Sequence, residues 1–410
     1  MNLISWVVTQ FVAVFFIVVR YIFKPTRRHG LMTAGAVLFI LLQNPPHILL
    51  RIGFILVTFI MLLGGWLFGR VLAQSSRLGQ RAVLTGGIAF LLTPLVLFKL
   101  VQTIVPTRFI DMFLAQRGNI DLGSLAPLGI SYFTFRAMAY LIEIWKGKIQ
   151  PVGWWRYWNY VAFWPTLMAG PIERPGAFLQ QTATAEQITS EDIREGFLRI
   201  ISGLGKKLVL GSFFYQIAKP YLMMEGAGRV VAVTDWPTLQ LWVCVHAYYL
   251  YLYCDFAGYS DIAIGISRLF GYRIMENFRW PILATNVADF WRRWHISLTG
   301  WITDYVYYPM GGNKKGMTQA AKNTALAMLL VGIWHGISLH FALWGLYHAA
   351  FLILYRQYRK RWRKKDIPNT WWRTGLAWLI TFEIVNLGWV LFVFKLKLAL
   401  QIYARLFFIV

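Results

Sequence analysis

The sequence predicts an all-α polytopic integral membrane protein. Three observations predict it. Apolar runs long enough to cross a bilayer recur along nearly the whole chain. Only 14% of the 410 residues are charged, where a soluble domain carries about 25%. The basic residues behind the net charge of +24 sit between the apolar runs and not on one polar domain. That is the positive-inside pattern, in which Lys and Arg of cytoplasmic loops fix topology. It argues against nucleic acid as a partner and for membrane lipids, whose anionic headgroups some of the basic residues are placed to meet.

The elements follow in order. Leu3–Phe23 has no basic stretch before it and no small-residue cleavage site, so it is expected to be a retained helix. Helices over about 31–44, 48–72, 83–105 and 125–145 come next, separated alternately by basic and charge-poor loops. The alternation puts the N-terminus outside and Lys146–Arg156 inside. Residues 157–195 are apolar and aromatic but broken by Pro and Gly. Such a segment enters the membrane partway or lies along its inner face. Spans are expected at about 197–223, 238–267 and 371–394, giving about ten or eleven in all. Residues 268–322, rich in Arg, Lys and Trp, are expected to be cytosolic or re-entrant. Cys244 and Cys254 lie in one apolar run, about 15 Å apart on a helix, too far for a disulfide. No metal site is expected.

One run needs two helices. About 33 residues separate Lys322 from Arg356, which as one helix would measure about 50 Å against a core of about 30 Å. Both flanks read as cytosolic, so the chain must turn back. Gly332 and Gly336 bracket Trp334–His335 and place the turn there or just after. The apolar arm from Lys322 to Trp334 is only about 20 Å long, which predicts that His335 lies within the membrane thickness, at the floor of a depression open to the outside.

Seven histidines occur. His29 and His47 are loop or interfacial residues, and His246 reads as a packing group within a span. His340 and His348 follow His335 at spacings that make no metal-binding helix face. His335 and His295 stand apart. An ionisable residue inside the membrane is a functional candidate by default, and imidazole suits proton transfer near neutral pH. Residue type alone equally allows both to be helix-bridging groups. "GLGKK" at Gly203–Lys207 lacks the first glycine and the Ser/Thr of a phosphate loop, and no serine-hydrolase motif is present.

"LGISYFTFRAMAYLIEIWKG", "FWPTLMAGPIERP", "DFAGYSDIAIGISRLFGYRIMENFRWPI", "DFWRRWHISLTGWITDYVYYPMGGN" and "GIWHG" together resemble the membrane-bound O-acyltransferases over about Leu125–Arg359. The resemblance implies a domain plan of 1–124 (N-terminal helices), 125–360 (catalytic core) and 361–410 (C-terminal helix). It implies a ring of helices with a thin centre, reached by a funnel from outside and a tunnel from inside. "YYPMGGN" looks like the alginate and cellulose O-acetyltransferase branch. "PTLMAGPIERP" and "GLYHAAFLILYRQYRKRWRKK" look more like the teichoic-acid D-alanyl transfer protein, although that branch usually has Asn where Arg292 stands. His335 falls on the family's catalytic base and His295 on its second position. Trp334, Trp291, Arg292, Arg293, Asp289 and Asn313 are the substrate-binding candidates within these motifs, and Tyr305–Met310 is a candidate docking surface for a carrier.

The resemblance further implies an acyl thioester donor, carried by coenzyme A or a phosphopantetheine carrier protein, and no bound cofactor. It implies an extracytoplasmic glycan acceptor or a secreted partner acyltransferase, and a place in the bacterial cytoplasmic membrane. A proton-coupled transporter or flippase, using the histidines as a relay, is the rival reading.

Overall fold

A computed structural model describes residues 48–104, 129–183, 188–225, 236–362 and 370–407, and positions 30, 34 and 35. The helices expected at 3–23 and 31–44 lie essentially outside these residues. The described secondary structure is helical throughout. Three helices among the described residues are long and apolar enough to cross a membrane: Ile52–Gln74, Arg77–Thr103 and Trp371–Val393. The chain divides into two units, 1–201 with 261–275 and 202–260 with 276–410.

In the first unit, α1 (Ile48–Gln74), α2 (Arg77–Ile104) and α3 (Ile130–Trp145) pack on one another. Met61, Leu62, Leu72 and Leu91 are buried between them, while Leu56, Ile60, Leu67 and Leu97 face outward. In a bilayer those outward side chains meet lipid. The α3 helix starts at Ile130, after Gly129 in a left-handed turn (φ 69°), and its 16 residues make about 24 Å. It carries Arg136, fully buried.

The guanidinium of Arg136 organises a neighbouring irregular segment. Its Nη2 donates to Thr166 O (2.8 Å), Thr166 Oγ1 (2.5 Å) and Pro171 O (3.2 Å), and Nη1 donates to Val161 O (3.4 Å). These oxygens belong to the Pro- and Gly-broken stretch that the sequence marked as no simple span. It folds as α4 (Trp154–Val161), a 3-10 turn (Trp164–Thr166), an extended run and α5 (Pro175–Ala183). Backbone carbonyls that no helix satisfies must find donors elsewhere, and one buried Arg supplies several. Nearby, Glu173 accepts from the backbone amide of Met275. Glu173 lies between helices, and burial pushes its carboxyl up to about 7 against the opposing pull of that amide and of Arg136.

Helix α6 (Ser190–Leu204) opens with a reciprocal cap, in which Asp192 N donates to Thr189 Oγ1 (3.1 Å) and Thr189 N to Asp192 Oδ2 (3.0 Å). Asp192 also pairs with Arg268 (3.0 Å), and Arg199 with Asp261 (2.8 Å).

In the second unit the span expected at 197–223 is two helices joined by a π-helical stretch. The α6 helix passes through Gly205–Gly211 into α7 (Ser212–Leu222). "GLGKK" is therefore helical, with Lys207 paired to Asp255. Helix α8 (Thr238–Leu269) covers the span expected at 238–267 and carries both free cysteines. Three short elements follow: a 3-10 turn at Pro281–Leu283, α9 (Val287–Arg293) and α10 (Ile296–Ile302), which runs on into a π turn at Thr303–Tyr307. The helices α11 (Gly316–His335), α12 (Leu339–Trp362), α13 (Trp371–Val393) and α14 (Leu396–Leu406) complete the unit.

The turn expected at or just after Trp334–His335 falls at 336–338, since α11 ends at His335 and α12 begins at Leu339. The first arm is longer than its apolar part. It starts six residues before Lys322 because Gly316 (φ 85°) ends the preceding turn, and Asn323 Nδ2 donates to Gly312 O (3.0 Å). At 20 residues α11 is about 30 Å long, so helix length alone does not fix the depth of His335. The two arms touch backbone to backbone. A Cβ on Gly332 would lie 2.2 Å from Phe341 O, and one on Gly345 2.3 Å from Met328 O.

Candidate functional site

The segment bearing His295 is built from short, well-capped pieces. Asn286 caps α9, its Oδ1 accepting from Asp289 N (2.8 Å). Asp289 sits in the first turn and Arg292 and Arg293 in the last, each favourable to the helix dipole. Asp289 Oδ2 accepts from Arg293 Nε (2.8 Å) and Oδ1 from Arg292 Nη2 (3.2 Å). Thus Asp289 is a bridge for the arginines. Arg293 also reaches Arg279 O (3.4 Å), and Arg292 is largely exposed.

The chain then turns. Trp294 is extended and His295 adopts a left-handed conformation (φ 44°, ψ 52°), rare for a residue with a side chain. His295 is 2% exposed. Its Nδ1 lies 3.1 Å from Asn277 Oδ1, and its ring packs edge-on to Phe256 (4.9 Å between centroids) and Trp334 (6.0 Å). Its Nε2 is buried with no hydrogen-bond partner among the described residues. His295 lies outside any helix long enough to span a membrane. Burial lowers its pKa to about 3, so the ring is neutral under physiological conditions.

His335 ends α11 in a different setting. It is half-buried, ringed by Trp334 (4.6 Å), Phe392 (4.8 Å), Trp344 (5.4 Å) and Phe341 (6.1 Å). His295 and His335 therefore both contact one indole, Trp334. Trp291 reaches the same cluster through Trp344 (5.9 Å). Asn313 stands elsewhere, exposed on the turn before α11 and accepting from Tyr307 OH.

Two more residues belong to this cluster that sequence reasoning passed over. Asn277 and Ser297 are fully buried beside His295. His348, 1% exposed, is enclosed by Trp291, Trp344, Tyr347 and Phe290, and neither of its ring nitrogens has a partner among the described residues. His246 joins α8 to α13, its Nδ1 2.8 Å from Trp242 O and its Nε2 2.9 Å from Glu383 Oε1. His340 contacts Ser338 Oγ (3.0 Å). The signal for Asn277 was present, since it lies in the motif segment "MENF", but a neutral amide does not stand out among titratable candidates.

Comparison with known proteins adds a second line of support. The model of the membrane-bound O-acyltransferase family, MBOAT, matches residues 88–393. A probable alginate O-acetylase AlgI of Azotobacter vinelandii is 35% identical over 285 residues, which cover 69% of this chain and 54% of that protein. A peptidoglycan O-acetyltransferase of Helicobacter pylori is 32% identical over 320 residues, covering 70% and 58%. A teichoic acid D-alanyltransferase of Bacillus subtilis is 33% identical over 277 residues, covering 65% and 68%. The chain spans about half the length of the alginate O-acetylase relatives it matches.

Proposed function

The chain belongs to the membrane-bound O-acyltransferase family, and from that premise we propose that it is a membrane-embedded enzyme moving a small acyl group, acetyl or D-alanyl, onto a polymer hydroxyl. The donor is a cytosolic thioester of coenzyme A or of a phosphopantetheine carrier protein. The acceptor is an extracytoplasmic cell-envelope polymer, a teichoic acid or an exopolysaccharide, reached directly or through a secreted partner acyltransferase. On this reading the protein is a multi-pass protein of the bacterial cytoplasmic membrane.

The observation that supports the reading is the pair of imidazoles that both contact Trp334. His335 is the half-exposed member and takes the role of general base. It removes the proton of the acceptor hydroxyl, whose oxygen attacks the thioester carbonyl. The new C–O bond forms as the C–S bond breaks, and the proton passes to the leaving thiolate. The aromatic walls of His335 hold the reacting groups together and keep competing water out. His295 is dry and neutral, and its bare Nε2 acts as an acceptor for an N–H or O–H of the donor arm. Arg292 and Arg293 border this segment at the donor side. Asp289 already offsets part of their charge, so they supply a weaker phosphate contact than two unpaired arginines would. Tyr305–Met310, with Tyr308 exposed, is the surface assigned to a carrier.

The test is acyl transfer by the purified protein without an ion gradient, using labelled acetyl-coenzyme A and a labelled D-alanyl carrier thioester in turn. His335→Ala is expected to lower transfer by about 10²–10⁴-fold, the usual worth of a general base. Retained transfer in that variant would overturn the assignment. Absence of transfer by the wild-type protein from both donors, together with gradient-driven movement of an envelope precursor, would favour a transporter.

A further inference from the structure

We propose that Asn277 is the positioning residue that sets the tautomer of His295, fixing the proton on Nδ1 so that Nε2 presents its lone pair to the site. The proposal rests on the reading that His295 takes part in transfer, but its structural content stands apart from that reading.

Asn277 is 0% exposed, and its oxygen and nitrogen ends can be told apart. The backbone N–H of Ser297 points at one terminal atom of the Asn277 side chain from 3.3 Å. A backbone N–H can only donate, so that atom is the amide oxygen. The Ser297 hydroxyl donates to the same oxygen at 2.8 Å, and the amide nitrogen donates in turn to Ser260 Oγ at 3.2 Å. His295 Nδ1 lies 3.1 Å from this oxygen. An oxygen offers only lone pairs, so Nδ1 must carry a proton. A neutral imidazole has one N–H, which leaves Nε2 bare.

The same residue also holds the backbone that carries the ring. Asn277 O accepts from Ile296 N (2.9 Å), and Asn277 Oδ1 accepts from Ser297 N, so one side chain and its own carbonyl grip the two amides that follow His295. These are the bonds beside the left-handed backbone at His295. Such a conformation is unfavourable for a residue with a side chain and persists only where the surroundings over-determine it, commonly at functional sites. A buried imidazole nitrogen with no partner is likewise unfavourable in a purely structural role. Asn277 thus sustains two unfavourable features at once, and both aim Nε2.

The experiment is ¹⁵N NMR of the full-length protein, labelled at histidine and held in detergent or nanodiscs, with His295→Ala identifying the His295 signal. The wild type is expected to show protonated Nδ1 and unprotonated Nε2, and the reverse would overturn the proposal. Asn277→Leu keeps the volume and removes the acceptor. It is expected to lose the single tautomer and to lower kcat by about 10–100-fold with KM little changed, as loss of an orienting partner does. A folded Asn277→Leu protein that keeps the wild-type tautomer would also overturn it. Asn277→Asp retains an oxygen for all three donors. Recorded above neutral pH, it should keep the Nδ1 proton and restore kcat relative to Leu. A shift of the proton to Nε2 in this variant refutes the proposal even if the Leu variant does not fold. Full transfer by His295→Ala would refute the catalytic reading of His295 while leaving the tautomer result to decide the role of Asn277.

Discussion

Arg136 in the first unit and Asn277 in the second have the same structural task. Each is 0% exposed, and each pins a non-helical stretch of chain with several hydrogen bonds. They differ in what the bonds hold. The donors of Arg136 end on oxygens of Val161, Thr166 and Pro171, so its product is a fixed backbone. Asn277 also holds backbone, but one of its bonds ends on an imidazole whose far nitrogen is left without a partner among the described residues. The first clamp thus holds backbone, and the second also holds a side chain proposed to take part in transfer.

Substitutions can break or sharpen this contrast. The largest effect is expected from Arg136→Leu. Removing the clamp leaves several buried oxygens without a donor, and loss of about 3–5 kcal/mol is expected, as when one member of a buried charged network is removed. The measurement is recovery and melting of the detergent-purified protein. Melting close to wild type would show that Arg136 is no scaffold. Next, Gly332→Val places side-chain atoms against Phe341 O and should destabilise the α11–α12 pair by about 1–3 kcal/mol. Activity should fall with it, because His335 is three residues away. A Val variant with wild-type melting and wild-type transfer would show that this close contact does not set the position of His335.

His295→Ala should lower transfer by about 10–100-fold while melting changes little, a milder loss than at His335. Equal losses at both histidines would erase the division of labour between them. The smallest effect concerns Glu173, beside the Arg136 clamp. Its folded pKa, about 7, lies above its ordinary value of 4.5. The folded protein therefore holds a proton that the unfolded chain has released. That contribution to stability is complete below about pH 4.5 and is lost as pH rises to about 7. The melting temperature should fall modestly across this window, and Glu173→Gln should flatten the profile. An unchanged slope in the Gln variant would assign the pH dependence to another group.

Much of this was legible in the residues. The apolar runs announced α1, α2, α8 and α13, because hydrocarbon selects for length and composition. The turn at His335 followed from counting residues against bilayer thickness. The motif resemblance picked out His295 and His335 and led to Trp334. Arg136 was visible in "SYFTFRAMAY" only as a lone cation in an apolar run, since no periodicity reports which carbonyls a side chain will meet. Asn277 was hidden for a similar reason. Its importance comes from three donors converging on one oxygen, two from Ser297 and one from His295, about twenty residues away in sequence. The true start of α11 was missed because the apolar run begins only after Lys322, whereas Gln319 and Asn323 bond to each other and Asn323 to the preceding turn, which carries the helix back to Gly316. The short helix α14 was missed because 11 residues are too few to register as a span.

The contact at Gly332 has a further consequence. Two main chains meet there with no side chain between them, and the proposed base is attached less than one helical turn away. A short lever on a fixed pivot cannot swing far. The aim of His335 therefore has little tolerance for added bulk at the pivot. In the proposed mechanism substrates are brought to this imidazole, because the hairpin that carries it is held backbone to backbone at Gly332.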